Sequence, residues 1–169
     1  MPVDNRHHLF ASHSSADREA TPGRCHLRKF ISEIELLVAR KLGLGKVDKL
    51  IFVDERCIEC GDKWGTVLSD AARTSRALVC FVSPNYLQSE WCGKELQVFL
   101  DRHSGMQTQG ASEKTTWIFP VLWEQFYTSE VLPERLASLQ LRTPDGSGEL
   151  KSRGYAYYRR CGSKEQKNR

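Results

Sequence analysis

The sequence of 169 residues contains no apolar run that approaches the roughly 20 residues needed to cross a bilayer, which does not favour a membrane protein. Its Met-Pro-Val-Asp start lacks the features of a secretory signal peptide. Glycine and proline follow no regular repeat, so collagen-like and low-complexity classes are excluded. Because 40% of the residues are hydrophobic, the chain can build one buried core. We therefore expect one globular domain in the cytoplasm.

The sequence also lacks the short motifs that identify several enzyme classes. Residues 43–46, Gly-Leu-Gly-Lys, follow a predicted helix instead of a strand, and they lack the spacing of a phosphate-binding loop. No GxGxxG, GxSxG or HExxH motif is present. An active site would therefore have to be assembled from single residues on several loops.

Cysteines are present but scattered, at Cys25, Cys57, Cys60, Cys80, Cys92 and Cys161. Cys57 and Cys60 form one CxxC pair, and neither a second pair nor two histidines at ligand spacing accompany it. Cys80 lies in an apolar run, where a thiol packs as a small hydrophobic group. We predict reduced thiols, no metal site and no bound cofactor.

The net charge of +4 is concentrated at the C-terminus. Residues 141–169 contain 8 Lys/Arg and 3 Asp/Glu, whereas residues 1–140 contain 17 and 18. Because basic and acidic residues nearly balance in residues 1–140, this part of the chain does not favour a nucleic-acid-binding surface. We interpret residues 141–169 as a basic C-terminal extension or linker with a short helix around residues 155–160; contact with phosphate or an acidic partner is the alternative.

Apolar strands and amphipathic helices alternate along the chain. Strands are predicted at residues 9–12, 50–53, 77–82 and 117–123, and helices at 27–42, 62–71, from 89 onward and at 133–139. The polar stretch 103–114 predicts a loop, and Pro120 predicts either an edge position or a bulge for the fourth strand. The alternation indicates an α/β fold whose mostly parallel sheet is covered by helices on both faces.

In a parallel sheet, ligands bind beyond the carboxyl ends of the strands. That edge of the predicted sheet carries Ser12 and His13 after the first strand, Asp54 after the second and Ser83 after the third. We expect the functional site at this edge.

Four motifs, in order and at suitable spacing, resemble the Toll/interleukin-1 receptor (TIR) domain. Residues 9–17, LFASHSSAD, resemble its opening motif. Residues 52–64 resemble the second strand, the following BB loop and the next helix. Residues 76–96, which include SEWCGKEL, resemble the third strand and its helix, and residues 119–123 resemble the fourth strand. The resemblance covers residues 7–140 and implies a flavodoxin-like three-layer sandwich.

The predicted BB loop, residues 55–61, contains no proline, unlike the loop of animal adaptor TIR domains. This departure favours the bacterial branch, whose members are often NAD glycohydrolases that depend on a glutamate after the third strand. The resemblance therefore implies that Glu95 is catalytic and that NAD+ is a substrate. Because nicotinamide leaves NAD+ as a neutral molecule, one carboxylate that stabilises the ribosyl oxocarbenium ion can suffice. A solvated helix glutamate is the alternative.

Further substrate-binding positions are implied by the same resemblance. Ser12, His13 and Ser14 correspond to pocket-lining positions, although Ser14 can equally cap a loop. Trp91 lies four residues before Glu95, on the same side of the helix, where it can stack on a ring of NAD+ or pack in the core. Asp54 is either a ligand contact or a strand-end cap.

The resemblance also implies self-association through TIR–TIR contacts, including the loop at residues 55–61, and a sensor that is either fused or separate. Both an NAD-cleaving effector in defence or signalling and a non-enzymatic interaction module are compatible with such assembly. The two functions differ in whether clustered protein consumes NAD+.

Overall fold

The computed structural model describes residues 7–19, 26–44, 49–53, 66–107, 117–125, 134–139, 141–144, 152–157 and 159. Its strands are β1 (Leu9–Ser12), β2 (Ile51–Val53), β3 (Ala77–Val82) and β4 (Ile118–Leu122). Its helices are α1 (Ser15–Glu19), α2 (His26–Lys41), α3 (Thr66–Thr74), α4 (Pro84–Gln88), α5 (Glu90–Gln107) and α6 (Glu134–Ala137). Residues 152–157 are also helical.

The four strands form one parallel sheet in the order β2-β1-β3-β4. Ser12, the last residue of β1, is in register with Cys80 of β3. Pro120 lies in β4, the last strand in this order, and its carbonyl accepts a hydrogen bond of 2.8 Å from the Arg142 amide. The predicted α/β fold is confirmed. The edge position is not, because the Leu122 amide also donates to the Arg142 carbonyl at 2.8 Å, so an isolated parallel bridge between Val121 and Arg142 pairs with the outer side of β4.

Successive strand residues face opposite sides of the sheet, and each side is covered by helices. On the α5 face, Phe10, Leu78 and Val82 pack in one buried cluster with residues of α3, α4, α5 and α6. On the α2 face, Ala11 and Phe81 pack in a second cluster with residues of α2 and the C-terminal helical segment. This arrangement confirms the flavodoxin-like three-layer sandwich.

The C-terminal half of α2 differs from the prediction. The three- and four-residue spacing of apolar residues over 27–42 predicts that Leu37 and Leu42 lie on the buried face, but they are 56% and 47% exposed. Ala39, which lies between them in the sequence, is only 1% exposed. This end of α2 is therefore still covered on one side, and the two leucines lie outside that covered side.

Helix α5 is longer than predicted, since residues 103–107 continue it instead of beginning a loop. The Ser104 hydroxyl donates to the Leu100 carbonyl at 3.0 Å, within the helix. Helix α4 was not predicted at all. Ser83 is its N-cap, with Oγ accepting from the Tyr86 amide at 3.0 Å, and Pro84 begins it. The serine–proline pair that ends β3 therefore also begins a helix.

The described part of the predicted C-terminal extension packs on the α2 face. Tyr155 lies 5.2 Å from Phe30 between ring centroids, and the Ala156 amide donates to the Trp123 carbonyl at 2.9 Å. Gly154 has a φ of +81°, and a Cβ built on it would lie 2.7 Å from the Trp123 carbonyl oxygen. The chain therefore needs a glycine here, both for its conformation and for the close approach.

Several predicted features lie outside the described residues. They are Asp54, the loop at residues 55–61, residues 62–65 of the helix predicted at 62–71, and Cys25, Cys57, Cys60 and Cys161. Among the helices that are described, none combines the length and the apolar character needed to cross a bilayer.

Candidate active site

Glu95 lies in the second turn of α5, close to the carboxyl end of β1. The helix begins at Glu90, and Ser89 caps it, with Oγ accepting from the Cys92 amide at 3.3 Å. Glu95 is only 5% exposed, which is uncommon for a carboxylate because burial removes its hydration. The alternative of a solvated helix glutamate is therefore wrong.

Ser12 provides a hydrogen bond to this buried carboxylate. Its hydroxyl donates to Glu95 Oε2 in a short contact, and the side chain is 1% exposed. The two residues are 83 positions apart in the sequence. Of the predicted substrate-binding residues, Ser12 is thus the one that the structure brings into contact with Glu95, as a buried partner of the carboxylate.

Tyr86 of α4 is a member of the same cluster that the sequence reasoning missed. Its hydroxyl lies 3.3 Å from Ser12 Oγ, and the side chain is 3% exposed. The only available signal was the Ser83-Pro84 pair, which indicates a helix start and thus places Tyr86 in the first turn after β3.

Two thiols complete the buried surroundings of Glu95. Burial and then the Glu95 charge raise the pKa of Cys80 from its usual 9.0 to about 12, although a hydrogen bond from Tyr86 opposes the shift. Burial and the same charge raise the pKa of Cys92 to about 12. Both thiols are therefore neutral near pH 7, and neither is a candidate nucleophile.

His13 and Ser14 lie immediately after β1, at the start of α1. His13 is half-buried, with Nδ1 3.1 Å from the Ser14 carbonyl oxygen. Ser14 is buried, and its carbonyl accepts from the Asp17 amide at 3.1 Å. Both residues are at the predicted edge of the sheet, and the backbone of Ser14 takes part in the first turn of α1.

Asp17 joins α1 to the start of α4, a connection that the sequence reasoning did not predict. The Ser83 hydroxyl donates to Asp17 Oδ2 at 2.5 Å, and Asn85 Nδ2 donates to Oδ1 at 2.8 Å. Burial raises the pKa of Asp17, while the hydrogen bonds from Ser83 and Asn85 oppose that shift. These hydrogen bonds hold α1, which follows β1, against the start of α4, which follows β3 and contains Tyr86.

Trp91 is half-buried on α5, one turn before Glu95. Lys94 Nζ lies 4.4 Å from the centroid of its ring and 2.7 Å from Glu90 Oε1. One side of the indole is thus in contact with an ammonium group, so a nucleotide ring that stacked on Trp91 would use the other side or displace Lys94.

A cleft of about 320 Å³ lies away from this cluster, along the outer edge of β2. Its lining includes Arg28, Lys49 and Glu35, and Glu35 Oε1 accepts from the Ile51 amide at 3.1 Å. None of the residues around Glu95 lines it. We therefore place the candidate chemistry at Glu95, because among the carboxylates that the structure describes it is the buried one beyond the carboxyl end of a strand. No group of His, Cys, Asp and Glu side chains within the described ranges has the arrangement of a metal site.

These features define an α/β domain with a parallel sheet and a buried glutamate at the carboxyl edge. The sequence matches the TIR domain family over residues 36–152, and the chain belongs to this family. The predicted family is thereby confirmed. The matched region begins inside α2, so β1 and Ser12 precede it, and their relation to Glu95 rests on the structure. A comparison with curated proteins found no match.

Proposed function

We propose that this TIR domain cleaves the bond between nicotinamide and ribose in NAD+, with Glu95 as the catalytic residue. The observation that supports the proposal is the buried Glu95 carboxylate, which accepts a hydrogen bond from Ser12 at the ligand-binding edge of the sheet. The membership of the bacterial branch, suggested by the proline-free loop at residues 55–61, is part of the same proposal.

In this reaction the C–N bond breaks with its electron pair going to nicotinamide, which leaves as a neutral molecule. The ribose becomes an oxocarbenium ion. A water molecule adds to the cation and loses a proton, which yields ADP-ribose; attack by the adenine ring would yield a cyclic product instead. Glu95 lowers the barrier by stabilising the positive charge, and a carboxylate fixed in a water-poor site does this more effectively than one in bulk water.

The neutral state of the neighbouring thiols supports this role. With pKa values of about 12, Cys80 and Cys92 carry no negative charge near pH 7, so neither thiol is an alternative anion beside Glu95. We propose that Trp91, His13, Ser14 and Asp54 contact NAD+, and that residues 55–61 of one subunit contribute to the site of its neighbour.

A second candidate function is a non-enzymatic module that signals through TIR–TIR contacts. Four leucines of α2 and the turn after it favour this function, because they are exposed in the described part of the chain: Leu36, Leu37, Leu42 and Leu44. Several exposed leucines in one short segment are typical of an interaction surface. Assembly through this surface is also compatible with the enzyme.

The test is NAD+ consumption by clustered protein, comparing the parent with Glu95→Gln. Glutamine keeps the shape of the side chain and can still accept the Ser12 hydrogen bond, so we expect a folded variant. The loss of the charge should lower the rate about 10²- to 10³-fold. Glu134→Gln, in the exposed first turn of α6, is the matched control and should keep the parental rate.

The result that would overturn the mechanism is a folded Glu95→Gln variant within about threefold of the parental rate. An inactive parent, even at high concentration or on a clustering support, would leave the interaction module as the function.

A further inference from the structure

Tyr86 has no role in the function proposed above, yet its hydroxyl is buried beside the Glu95 hydrogen bond. The ring belongs to the core of the α5 face, where phenylalanine would fill the same space. The hydroxyl is the part that packing does not require, and it lies 3.3 Å from Ser12 Oγ. Burying a hydroxyl is unfavourable unless it is hydrogen-bonded, so this contact needs an explanation.

Counting donors assigns a direction to the hydrogen bonds. Ser12 carries one hydroxyl hydrogen, and an ionised Glu95 can only accept, so that hydrogen points to Glu95 Oε2. The Ser12 oxygen can then accept from Tyr86. The single hydroxyl hydrogen of Tyr86 can also reach the Cys80 thiol, but sulfur is the weaker acceptor, so we assign this hydrogen to Ser12. A hydroxyl that accepts a hydrogen bond becomes a better donor, so the two bonds strengthen each other.

We infer that Tyr86 and Ser12 are positioning residues, which hold the Glu95 carboxylate in one orientation through the hydrogen bonds Tyr86–Ser12–Glu95. The three side chains come from α4, β1 and α5, so the carboxylate is fixed against two other elements of the fold. As far as catalysis is concerned, this inference rests on the proposed function.

The groups around the three residues are compatible with a donor role for Tyr86. Burial raises the pKa of the Tyr86 hydroxyl well above its usual value, so it stays protonated over the working range. The titratable groups that act on the Tyr86 hydroxyl among the described residues are Cys80 on β3 and Cys92 on α5, both neutral near pH 7. From α3 the same core cluster contains only apolar side chains, Leu68, Ala71 and Ala72.

The first experiment compares Tyr86→Phe with a matched control, Tyr155→Phe. Tyr155 is half-buried on the α2 face, where its hydroxyl donates to the Thr143 carbonyl at 3.2 Å. For Tyr86→Phe we expect kcat to fall about tenfold with KM within about twofold, since the carboxylate acts on the transition state. The acid limb of the pH–kcat profile should move to higher pH, because the carboxylate loses hydrogen-bond support. Tyr155→Phe should change neither kcat nor the pH–kcat profile.

Ser12 provides a rescue test. Ser12→Ala should reduce kcat more than Tyr86→Phe does, because it removes the direct hydrogen bond to Glu95. Ser12→Thr keeps the hydroxyl and should recover part of the loss. A purely structural effect of the substitutions would not move the pH profile or separate kcat from KM.

A second experiment needs no NAD+ cleavage. In a double-mutant cycle of Tyr86→Phe and Ser12→Ala, measured by urea unfolding, we expect a coupling of at least about threefold in the unfolding equilibrium constant. If the cycle shows no coupling, the inference is wrong whatever the activity. It is also wrong if the parent is active and Tyr86→Phe leaves kcat unchanged. Coupling in an inactive parent would reject the proposed function alone. If Ser12→Ala does not fold, the kcat and pH profile of Tyr86→Phe decide the question.

Discussion

The two faces of the sheet are built on different principles. On the α2 face, aromatic rings fill the contact: Phe30 lies 5.8 Å from Trp123 between centroids, and Phe81 also lies 5.8 Å from Trp123. On the α5 face, Phe10 and Phe99 are 5.9 Å apart, but beyond them β1 ends in the buried polar cluster around Glu95. The core of the α2 face is built from apolar side chains, whereas the α5 face combines an apolar core with the buried polar cluster around Glu95.

Because of this difference, we expect the two faces to tolerate substitutions to different degrees. Apolar packing is non-directional, so the α2 face requires volume and shape. Each buried polar group of the α5 face needs a hydrogen-bond partner in a particular place. An unpaired buried group lowers the stability of the fold by more than one hydrogen bond contributes to it. We therefore expect substitutions on the α2 face to affect stability alone, and those around Glu95 to affect mainly activity.

The largest stability effect on the α2 face should come from Gly154→Ala. The new Cβ would lie 2.7 Å from the Trp123 carbonyl oxygen, in a residue with a φ of +81°. The backbone would have to move, at a cost of about 3 kcal/mol in the free energy of unfolding. Chemical denaturation measures this cost. Detachment of the C-terminal helical segment should leave Glu95 unaffected, because that segment packs on the opposite face.

The control is Gly93→Ala on α5, where a Cβ would have no neighbour within 4 Å among the described residues. Alanine has the higher helix propensity, so we expect a neutral to stabilising change of up to about 1 kcal/mol. Equal effects of the two substitutions would contradict the close approach of Gly154 to β4.

Alkaline pH should lower the free energy of unfolding through a buried thiol of the α5 face. Cys80 has a pKa of about 12 in the fold and 9.0 as its usual value. Between these values the unfolded chain has lost a proton that the folded protein retains. The contribution of the Cys80 thiol to the free energy of unfolding is therefore fully present below about pH 9, and it declines as the pH rises toward 12. The free energy of unfolding, measured from pH 8 to 10.5, should show this decline.

The substitution Cys80→Ala removes one of the two buried thiols. It should reduce the downward slope by roughly 1 kcal/mol per pH unit above pH 9, whatever constant offset the smaller side chain introduces. A slope that matches the parent would show that the thiol is not shielded as the structure indicates.

The smallest effect is expected from Ser75→Ala, between α3 and β3. The Ser75 hydroxyl is fully buried and has no hydrogen-bond partner among the described residues. Its removal should leave the free energy of unfolding unchanged or raise it by up to about 1 kcal/mol. Ser83→Ala, at another fully buried serine, should instead cost about 1–2 kcal/mol, because Ser83 caps α4 and binds Asp17. Thermal melts of both variants test the contrast.

The fold was predictable because its signals are local. The apolar run 77–82 became β3, buried along its whole length, and Gly43 ended α2 with a φ of +67°. The prediction was wrong at Leu37 and Leu42, which are exposed, and at residues 103–107, which continue α5. A periodic pattern reports which side chains share a face; it does not report whether anything covers that face.

The sequence by itself determined the alternation of strands and helices, the parallel sheet, the edge at which a site would lie and the position of Glu95 on the helix after β3. Only the tertiary structure decided that Glu95 is buried, that Ser12 donates to it, that Tyr86 lies behind Ser12 and that Asp17 joins Ser83. The physical reason is distance along the chain. Ser12 and Glu95 are 83 residues apart, and the direction of a hydrogen bond between them is set by how β1, α4 and α5 pack, which no local pattern encodes.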